Sequence, residues 1–184
     1  MKLFCLGDSL TFGYGVRYAA RWVNLVGKEL GLDVHNYALN GDTAVGMISR
    51  FDTMHLDGDS VLFIMAGAND IFYSASCATA RAGMGTLIHH ALASPAKLIV
   101  GIPMQIGSGF VPEQWSRAVD FPGSRGLMAE YRDWLKKFCD AFSVPYVDFG
   151  DDWPNEWYLD GLHPNEEGHR QMAQKVVQCL NSII

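Results

Sequence analysis

A serine near one end of the chain and an aspartate–histidine pair near the other could together carry out acyl transfer. Ser9 follows an apolar run, and Asp160 and His163 lie three residues apart. Serine is a poor nucleophile until a neighbouring base removes its proton, and histidine is such a base near neutral pH. A carboxylate bonded to the other ring nitrogen fixes the tautomer and stabilises the imidazolium. The three residue types therefore indicate nucleophilic catalysis.

Attack on a carbonyl also requires donors for the oxyanion that develops. The candidates are the backbone N–H of Ser9, the backbone N–H of Gly41 and the side-chain amide of Asn69. Gly41 allows close approach of the backbone, and Asn69 carries a neutral NH₂ that needs no protonation. Asn40, Asp42, Asp70 and the carboxylate of Asp8 are interpreted as turn and cap residues that support these loops.

These residues need a scaffold, and short apolar runs alternating with helical patterns supply one. The predicted strands are Leu3–Leu6, Val34–Leu39, Ser60–Ala66, Leu98–Ile102 and Tyr146–Phe149. Helices are predicted around 22–30, 43–55, 78–93, 127–142 and 164–180. The alternation predicts an α/β fold: a three-layer α/β/α sandwich whose five-stranded parallel sheet has the flavodoxin-like order 2-1-3-4-5. We expect residues 1–184 to form one domain.

Polar clusters follow four of the five predicted strands, and they begin near Gly7, Asn40, Gly67 and Asp160. The carboxyl ends of parallel strands lie along one edge of the sheet, where α/β proteins bind their ligands. We therefore expect Ser9, Asn69 and His163 to meet at that edge.

The four clusters resemble the sequence blocks of the GDSL, or SGNH, hydrolase family. The matching segments are "GDSL" at 7–10, the glycine at 41, "GAND" at 67–70 and "DGLH" at 160–163. The serine, glycine, asparagine and histidine after which the SGNH family is named correspond here to Ser9, Gly41, Asn69 and His163, with Asp160 as the carboxylate. The third block is often Gly-Gly-Asn-Asp in the family, whereas Ala68 stands here.

The resemblance implies a serine esterase that acts through an acyl-enzyme, with no metal and no cofactor. The family's substrates include simple esters, thioesters, lysophospholipids and O-acetylated sugars, so the resemblance does not identify the substrate of this protein. We expect short- to medium-chain acyl or aryl esters, with sugar O-acetyl groups as the alternative.

Several large apolar residues stand near the predicted edge and are candidates for an acyl or aryl pocket. They are Phe72, Tyr73, Met104, Phe110 and Trp157. A role in the hydrophobic core explains the same residues equally well. The segment Pro103–Arg125 has no helical or strand pattern, and irregular segments of this length in compact domains are usually functional.

The composition excludes some function classes. Of 184 residues, 49% are hydrophobic and 18% charged, and the net charge of −6 is spread without a basic cluster. This argues against nucleic-acid partners, and no apolar run is long enough for a membrane span. No secretory signal pattern is present and the four cysteines form no CxxC pair, so a cytoplasmic enzyme acting on a small-molecule ester is expected. The oligomeric state stays open.

Three other functional classes are alternatives to an esterase. A phosphate- or flavin-binding flavodoxin-like module would use residues 9–13, but these do not form a recognised phosphate loop. Phosphoryl transfer through Asp8 would need a second aspartate two residues later, where Leu10 stands. A binding protein without activity is disfavoured because every expected catalytic residue is present.

Overall fold

The chain folds into a five-stranded parallel sheet with helices on both faces. The computed structural model describes residues 1–117, 119–150 and 153–183. The strands are β1 (Lys2–Gly7), β2 (Asp33–Asn36), β3 (Ser60–Met65), β4 (Lys97–Ile102) and β5 (Tyr146–Asp148). They lie in the order β2-β1-β3-β4-β5, and every neighbouring pair is parallel. The predicted fold class and strand order are confirmed.

All five predicted helices are present, with ends shifted by a few residues at most sites. The helices are α1 (Ser9–Phe12), α2 (Trp22–Leu30), α3 (Ala44–Phe51), α4 (Ala68–Ser74), α5 (Cys77–Leu92), α6 (Glu113–Ser116), α7 (Phe121–Ala141) and α8 (Glu166–Asn181). Helices α1, α4 and α6 were not predicted, because four to seven residues are too few to show a helical repeat. Within the described residues, each helix is too short or too polar to span a bilayer.

Alternate residues of the strands face two separate hydrophobic clusters. Leu3 and Cys5 of β1 pack with α2 and α8, whereas Phe4 and Leu6 pack with α3, α5 and α7. Every residue of β3 is buried. Burial on both faces explains why these strands read as continuous apolar runs and not as an alternating pattern.

The prediction that Pro103–Arg125 is irregular is wrong for the second half of this segment. Helix α6 lies within it, and α7 begins at Phe121 instead of near residue 127. Asp120 caps α7 by accepting a hydrogen bond from the N–H of Gly123 (3.1 Å), and a proline lies in the first turn. Two of the first six helical residues are glycines, so apolar periodicity did not predict this start of the helix.

Strand β2 is also shorter than the predicted Val34–Leu39, since it ends at Asn36. The side chain of Asn36 accepts the N–H of Ala38 (3.0 Å), and the guanidinium of Arg50 bonds the carbonyl of Tyr37. The N–H groups of Tyr37 and Leu39 still donate to the carbonyls of Cys5 (2.8 Å) and Gly7 (3.0 Å), so the chain stays beside β1 beyond the end of the regular strand.

Candidate active site

Ser9, His163 and Asp160 form one continuous series of hydrogen bonds at the carboxyl edge of the sheet. β1 ends at Gly7, and Ser9 begins α1 immediately beyond it. His163 Nε2 lies 2.9 Å from Ser9 Oγ, and His163 Nδ1 lies 2.8 Å from Asp160 Oδ2. The three residues are 7%, 2% and 8% exposed, so the series is shielded from bulk water. The structure thus brings together residues 154 positions apart in sequence.

Hydrogen bonds to backbone groups stabilise the turn that carries Asp160 and His163. Asp160 Oδ1 accepts hydrogen bonds from the N–H groups of Leu162 (3.1 Å) and His163 (2.8 Å). The carbonyl of Gly161 accepts from Gly107 N (2.8 Å), and Leu159 N donates to the carbonyl of His163 (2.8 Å). One carboxylate oxygen therefore stabilises the turn, while the other contacts the imidazole.

The charge state of Asp160 determines the direction of these bonds. Burial alone would raise the pKa of Asp160, but its hydrogen bonds and attraction to His163 outweigh burial, and the pKa is lowered below its usual value. The ionised carboxylate only accepts, so His163 Nδ1 carries the proton that it donates. His163 Nε2 is then the acceptor for the Ser9 hydroxyl, as a general base requires.

The three residues predicted to supply the oxyanion donors, Ser9, Gly41 and Asn69, line one cavity. No hydrogen bond joins the N–H of Ser9 or of Gly41 to any residue that the structure describes. The side-chain nitrogen of Asn69 donates one hydrogen to the carbonyl of Asp42 (2.8 Å), which fixes the amide and leaves the second hydrogen for a ligand. Gly41 has φ +78°, a left-handed conformation that favours glycine.

Buried carboxylates hold the loops that carry these donors. Asp8 is 1% exposed and caps α1 by accepting from Leu10 N (2.9 Å); burial, with the nearby charges of Asp70 and Asp42, raises the pKa of Asp8 to about 7. Asp70 accepts from the N–H of Ala44 (2.9 Å) at the start of α3, and burial raises the pKa of Asp70 too. These residues have the supporting positions that the sequence predicted for them.

Comparison with known proteins places this arrangement in a family. The sequence matches the GDSL-like lipase/acylhydrolase family over residues 5–171. The chain belongs to this family. The resemblance found in the four sequence blocks is thereby confirmed. A comparison with curated protein sequences found no significant match.

Solved structures share the fold over the whole length of the chain. A lipolytic G-D-S-L family protein from Veillonella parvula is 25% identical, with a TM-score of 0.85 and full coverage of both chains. The M. smegmatis aryl esterase is 20% identical, with a TM-score of 0.82 over 100% of this chain and 99% of that one. Est24, a carbohydrate acetylesterase from Sinorhizobium meliloti, is 20% identical, with a TM-score of 0.83 and the same coverage.

A cavity of about 350 Å³ opens in front of Ser9 in this GDSL-like hydrolase. Its described lining residues come from the four loops and from α4 and the segment before α7, and they are Ser9, Tyr14, Asn40, Gly41, Asn69, Phe72, Tyr73, Val119, Leu162 and His163. Phe72 and Tyr73 are the predicted pocket residues among them.

The other predicted pocket residues lie elsewhere, as a correction to the sequence reading. Met104 is 2% exposed within the core on the α2 and α8 side of the sheet. Trp157 packs edge-on against Trp153, with ring centroids 5.1 Å apart, and Phe110 is 74% exposed. Apolar character alone cannot distinguish a core side chain from one that lines a cavity.

Tyr14, Val119 and Leu162 line the cavity but were not singled out from the sequence, and Asn40 was interpreted only as a turn residue. Tyr14 had a usable signal, since it is an aromatic residue between two glycines soon after the nucleophile. Val119 had no such signal in the sequence, because its position depends on the tertiary arrangement of the segment before α7.

The described ranges 1–117, 119–150 and 153–183 also bear on metal binding. No group of three histidine, cysteine, aspartate or glutamate side chains there is arranged to hold a metal ion. The four cysteines are unpaired, and three of them are buried.

Proposed function

We propose that this protein hydrolyses small, uncharged carboxylic esters through an acyl-enzyme formed on Ser9. The observation that carries the proposal is the unbroken series Ser9–His163–Asp160 facing a cavity that also contains three oxyanion donors. Membership of an esterase and acylhydrolase family supports the same reaction type.

The first half-reaction acylates the enzyme. His163 Nε2 takes the proton of Ser9 as Oγ attacks the ester carbonyl, and the carbonyl electron pair moves onto oxygen. The N–H groups of Ser9 and Gly41 and the amide of Asn69 donate to that oxyanion. As the intermediate collapses, the imidazolium returns its proton to the departing alkoxide, and the acyl group stays on Ser9.

The second half-reaction restores the serine. His163 Nε2 removes a proton from a water molecule that attacks the acyl carbon, and the same donors stabilise the second oxyanion. Collapse of this intermediate returns the proton to Ser9 Oγ and releases the carboxylic acid. Asp160 remains ionised and keeps the imidazole aligned in both halves.

The cavity supports a neutral substrate with a short- to medium-chain acyl or aryl group. Its volume of about 350 Å³ is near the lower end for small-molecule sites, and Phe72, Val119 and Leu162 give it an apolar wall. No lysine or arginine is among its described lining residues, so it offers no counter-charge for a phosphate group. Lysophospholipids and coenzyme-linked thioesters are therefore disfavoured in the proposal.

O-acetylated sugars are the second candidate substrate class. Asn40 and Tyr73 line the cavity and carry polar groups that can bond sugar hydroxyls, and a carbohydrate acetylesterase is among the structural neighbours. The two candidates differ in the alcohol that leaves and not in the chemistry at Ser9.

Covalent labelling tests the nucleophile. A fluorophosphonate probe is expected to label the wild-type protein at Ser9, and Ser9→Ala is expected to abolish both labelling and ester hydrolysis. Ser182, an exposed serine at the end of α8, provides the matched control Ser182→Ala, which should label normally. Labelling that persists in Ser9→Ala would show that another residue is the nucleophile.

Steady-state kinetics test the oxyanion donor and the substrate class. Asn69→Ala is expected to lower kcat by about 10²–10³, as for other side-chain oxyanion donors, with a smaller change in KM. Measuring kcat/KM on p-nitrophenyl esters of increasing chain length, beside an acetylated sugar and an acyl-coenzyme A, ranks the substrates. A near-normal kcat in Asn69→Ala would contradict the assigned donor.

A further inference from the structure

We propose that Tyr14 is a positioning residue for His163: its ring packs on the imidazole, keeps it aligned between Ser9 and Asp160, and stabilises the imidazolium formed during the reaction. This inference rests on the proposed function. It assigns a role to a residue that the acid–base chemistry does not itself require.

The contact between the two rings is close. Their centroids are 4.4 Å apart, and their planes are inclined by 40°. His163 is only 2% exposed, although it lies on the cavity wall, while Tyr14 is 40% exposed. The tyrosine ring thus covers part of the imidazole, and both residues line the cavity.

The backbone of Tyr14 is tied to the nucleophile. Both Gly13 N (3.0 Å) and Tyr14 N (3.1 Å) donate to the carbonyl of Ser9. Gly13 has φ +83° and ends α1 in the left-handed conformation, so the chain reverses just before Tyr14. A Cβ atom at Gly13 would lie 2.5 Å from the side chain of Arg21. This turn therefore sets the direction of the tyrosine ring.

The turn that carries His163 contacts the segment 13–15 through Leu159. The side chain of Leu159 lies against the position of Gly15, where an added Cβ would come within 2.5 Å of it. The N–H of Leu159 donates to the carbonyl of His163 (2.8 Å). The segment 13–15 consequently contacts both the loop of the nucleophile and the turn of the base.

Two physical effects follow from this placement. The hydrogen bonds of His163 lie near its ring plane and leave the ring able to tilt about the line joining Ser9 and Asp160, and packing on its face limits that tilt. When His163 takes the serine proton it becomes a cation, and an aromatic face within about 6 Å attracts a cation. Both effects favour the transition state over the resting state.

The test compares a variant that removes the ring with one that keeps it. Tyr14→Leu is expected to lower kcat by about tenfold, which corresponds to the attraction that a partly desolvated cation gains from an aromatic face. KM should change by less than about threefold, because lost alignment acts on the chemical step. Tyr14→Phe should retain kcat within about twofold, since it keeps the ring face.

Control variants separate this role from general effects. Tyr18→Leu removes a tyrosine that is 73% exposed and does not line the cavity, and it should leave kcat and KM unchanged. Tyr14→Met is a second non-aromatic variant, and a melting temperature for each protein confirms folding. An unchanged kcat in either folded non-aromatic variant overturns the proposal. So does a rise in KM alone, or a Tyr14→Phe that loses as much kcat as Tyr14→Leu.

A spectroscopic readout distinguishes failure of this inference from failure of the proposed function. The proton on His163 Nδ1, bonded to Asp160, should give a low-field proton NMR signal in the wild type and in Tyr14→Phe. That signal should broaden or vanish in Tyr14→Leu, and an unchanged signal overturns the positioning role. Absence of fluorophosphonate labelling in the wild type would instead refute the nucleophile assignment, and the NMR comparison would still decide the role of Tyr14.

Discussion

His169 in α8 makes the stability of this protein sensitive to acid. Its side chain is 0% exposed, Nδ1 accepts the N–H of Trp22 (3.4 Å), and Nε2 has no hydrogen-bond partner among the described residues. Burial, with the nearby Arg21 and His163, lowers the pKa of His169 from 6.5 to about 4. The imidazole is therefore neutral in the folded protein at pH values where it is charged in the unfolded chain.

The sign and size of the effect follow from linkage. Between pH 6.5 and pH 4 the unfolded state binds the proton and the folded state does not, so stability falls as the pH falls through this window. With these two pKa values, the free energy of unfolding drops by about 2 kcal/mol between pH 7 and pH 5 through His169 alone.

The perturbation is His169→Asn, because the asparagine oxygen can accept from Trp22 N without titrating. Urea unfolding of both proteins at pH 7 and pH 5 gives the free energies, and subtracting them removes the groups that titrate alike in both. We expect the variant to gain about 2 kcal/mol relative to wild type on going from pH 7 to pH 5. A difference between the two proteins that is the same at both pH values would refute the reasoning.

Two further predictions concern buried charges. Asp8→Asn should gain about 3 kcal/mol of stability relative to wild type as the pH rises from 5 to 8, because burial raises the pKa of Asp8 to about 7 and its ionisation then destabilises the folded state. Urea unfolding of both proteins at the two pH values measures this gain. A stability difference between the two proteins that is the same at pH 5 and pH 8 would contradict the prediction. Arg132, fully buried on α7, bonds the carbonyl of Pro103 and Asp148 (2.8 Å), so Arg132→Met should cost about 3 kcal/mol. Lys136→Met, which removes a half-buried partner of the same Asp148 (2.7 Å), should cost under about 1 kcal/mol, and similar losses in both variants would contradict the argument.

The sheet was predictable because its strands are local, strongly apolar segments. β1, β3 and β4 are buried on both faces, so their sequences read as apolar runs wherever the helices pack. The end of β2 was not predictable in this way. The N–H groups of Tyr37 and Leu39 still donate to Cys5 and Gly7 of β1 beyond Asn36, so the sequence pattern does not mark where the regular strand stops.

The residues that meet at the candidate site were predictable, but the walls of its cavity were not. Ser9, Asn69 and His163 follow strands of a parallel sheet, and that topology brings strand ends together however far apart they are in sequence. Met104 and Val119 show the limit, since the apolar residue expected in the pocket lies in the core and one not singled out lines the cavity.

The sequence by itself determined the alternation of strands and helices, the sheet order and the residue types available at its carboxyl edge. Local apolar patterning and the turn residues at strand ends carry the alternation and the residue types, and the right-handed crossover between parallel strands makes the order the simplest one. Only the tertiary structure decided that His163 lies 2.9 Å from Ser9, that Tyr14 packs on the imidazole ring, and that His169 is fully buried. The physical reason is that side-chain direction depends on packing between segments distant in the chain, which no local pattern records.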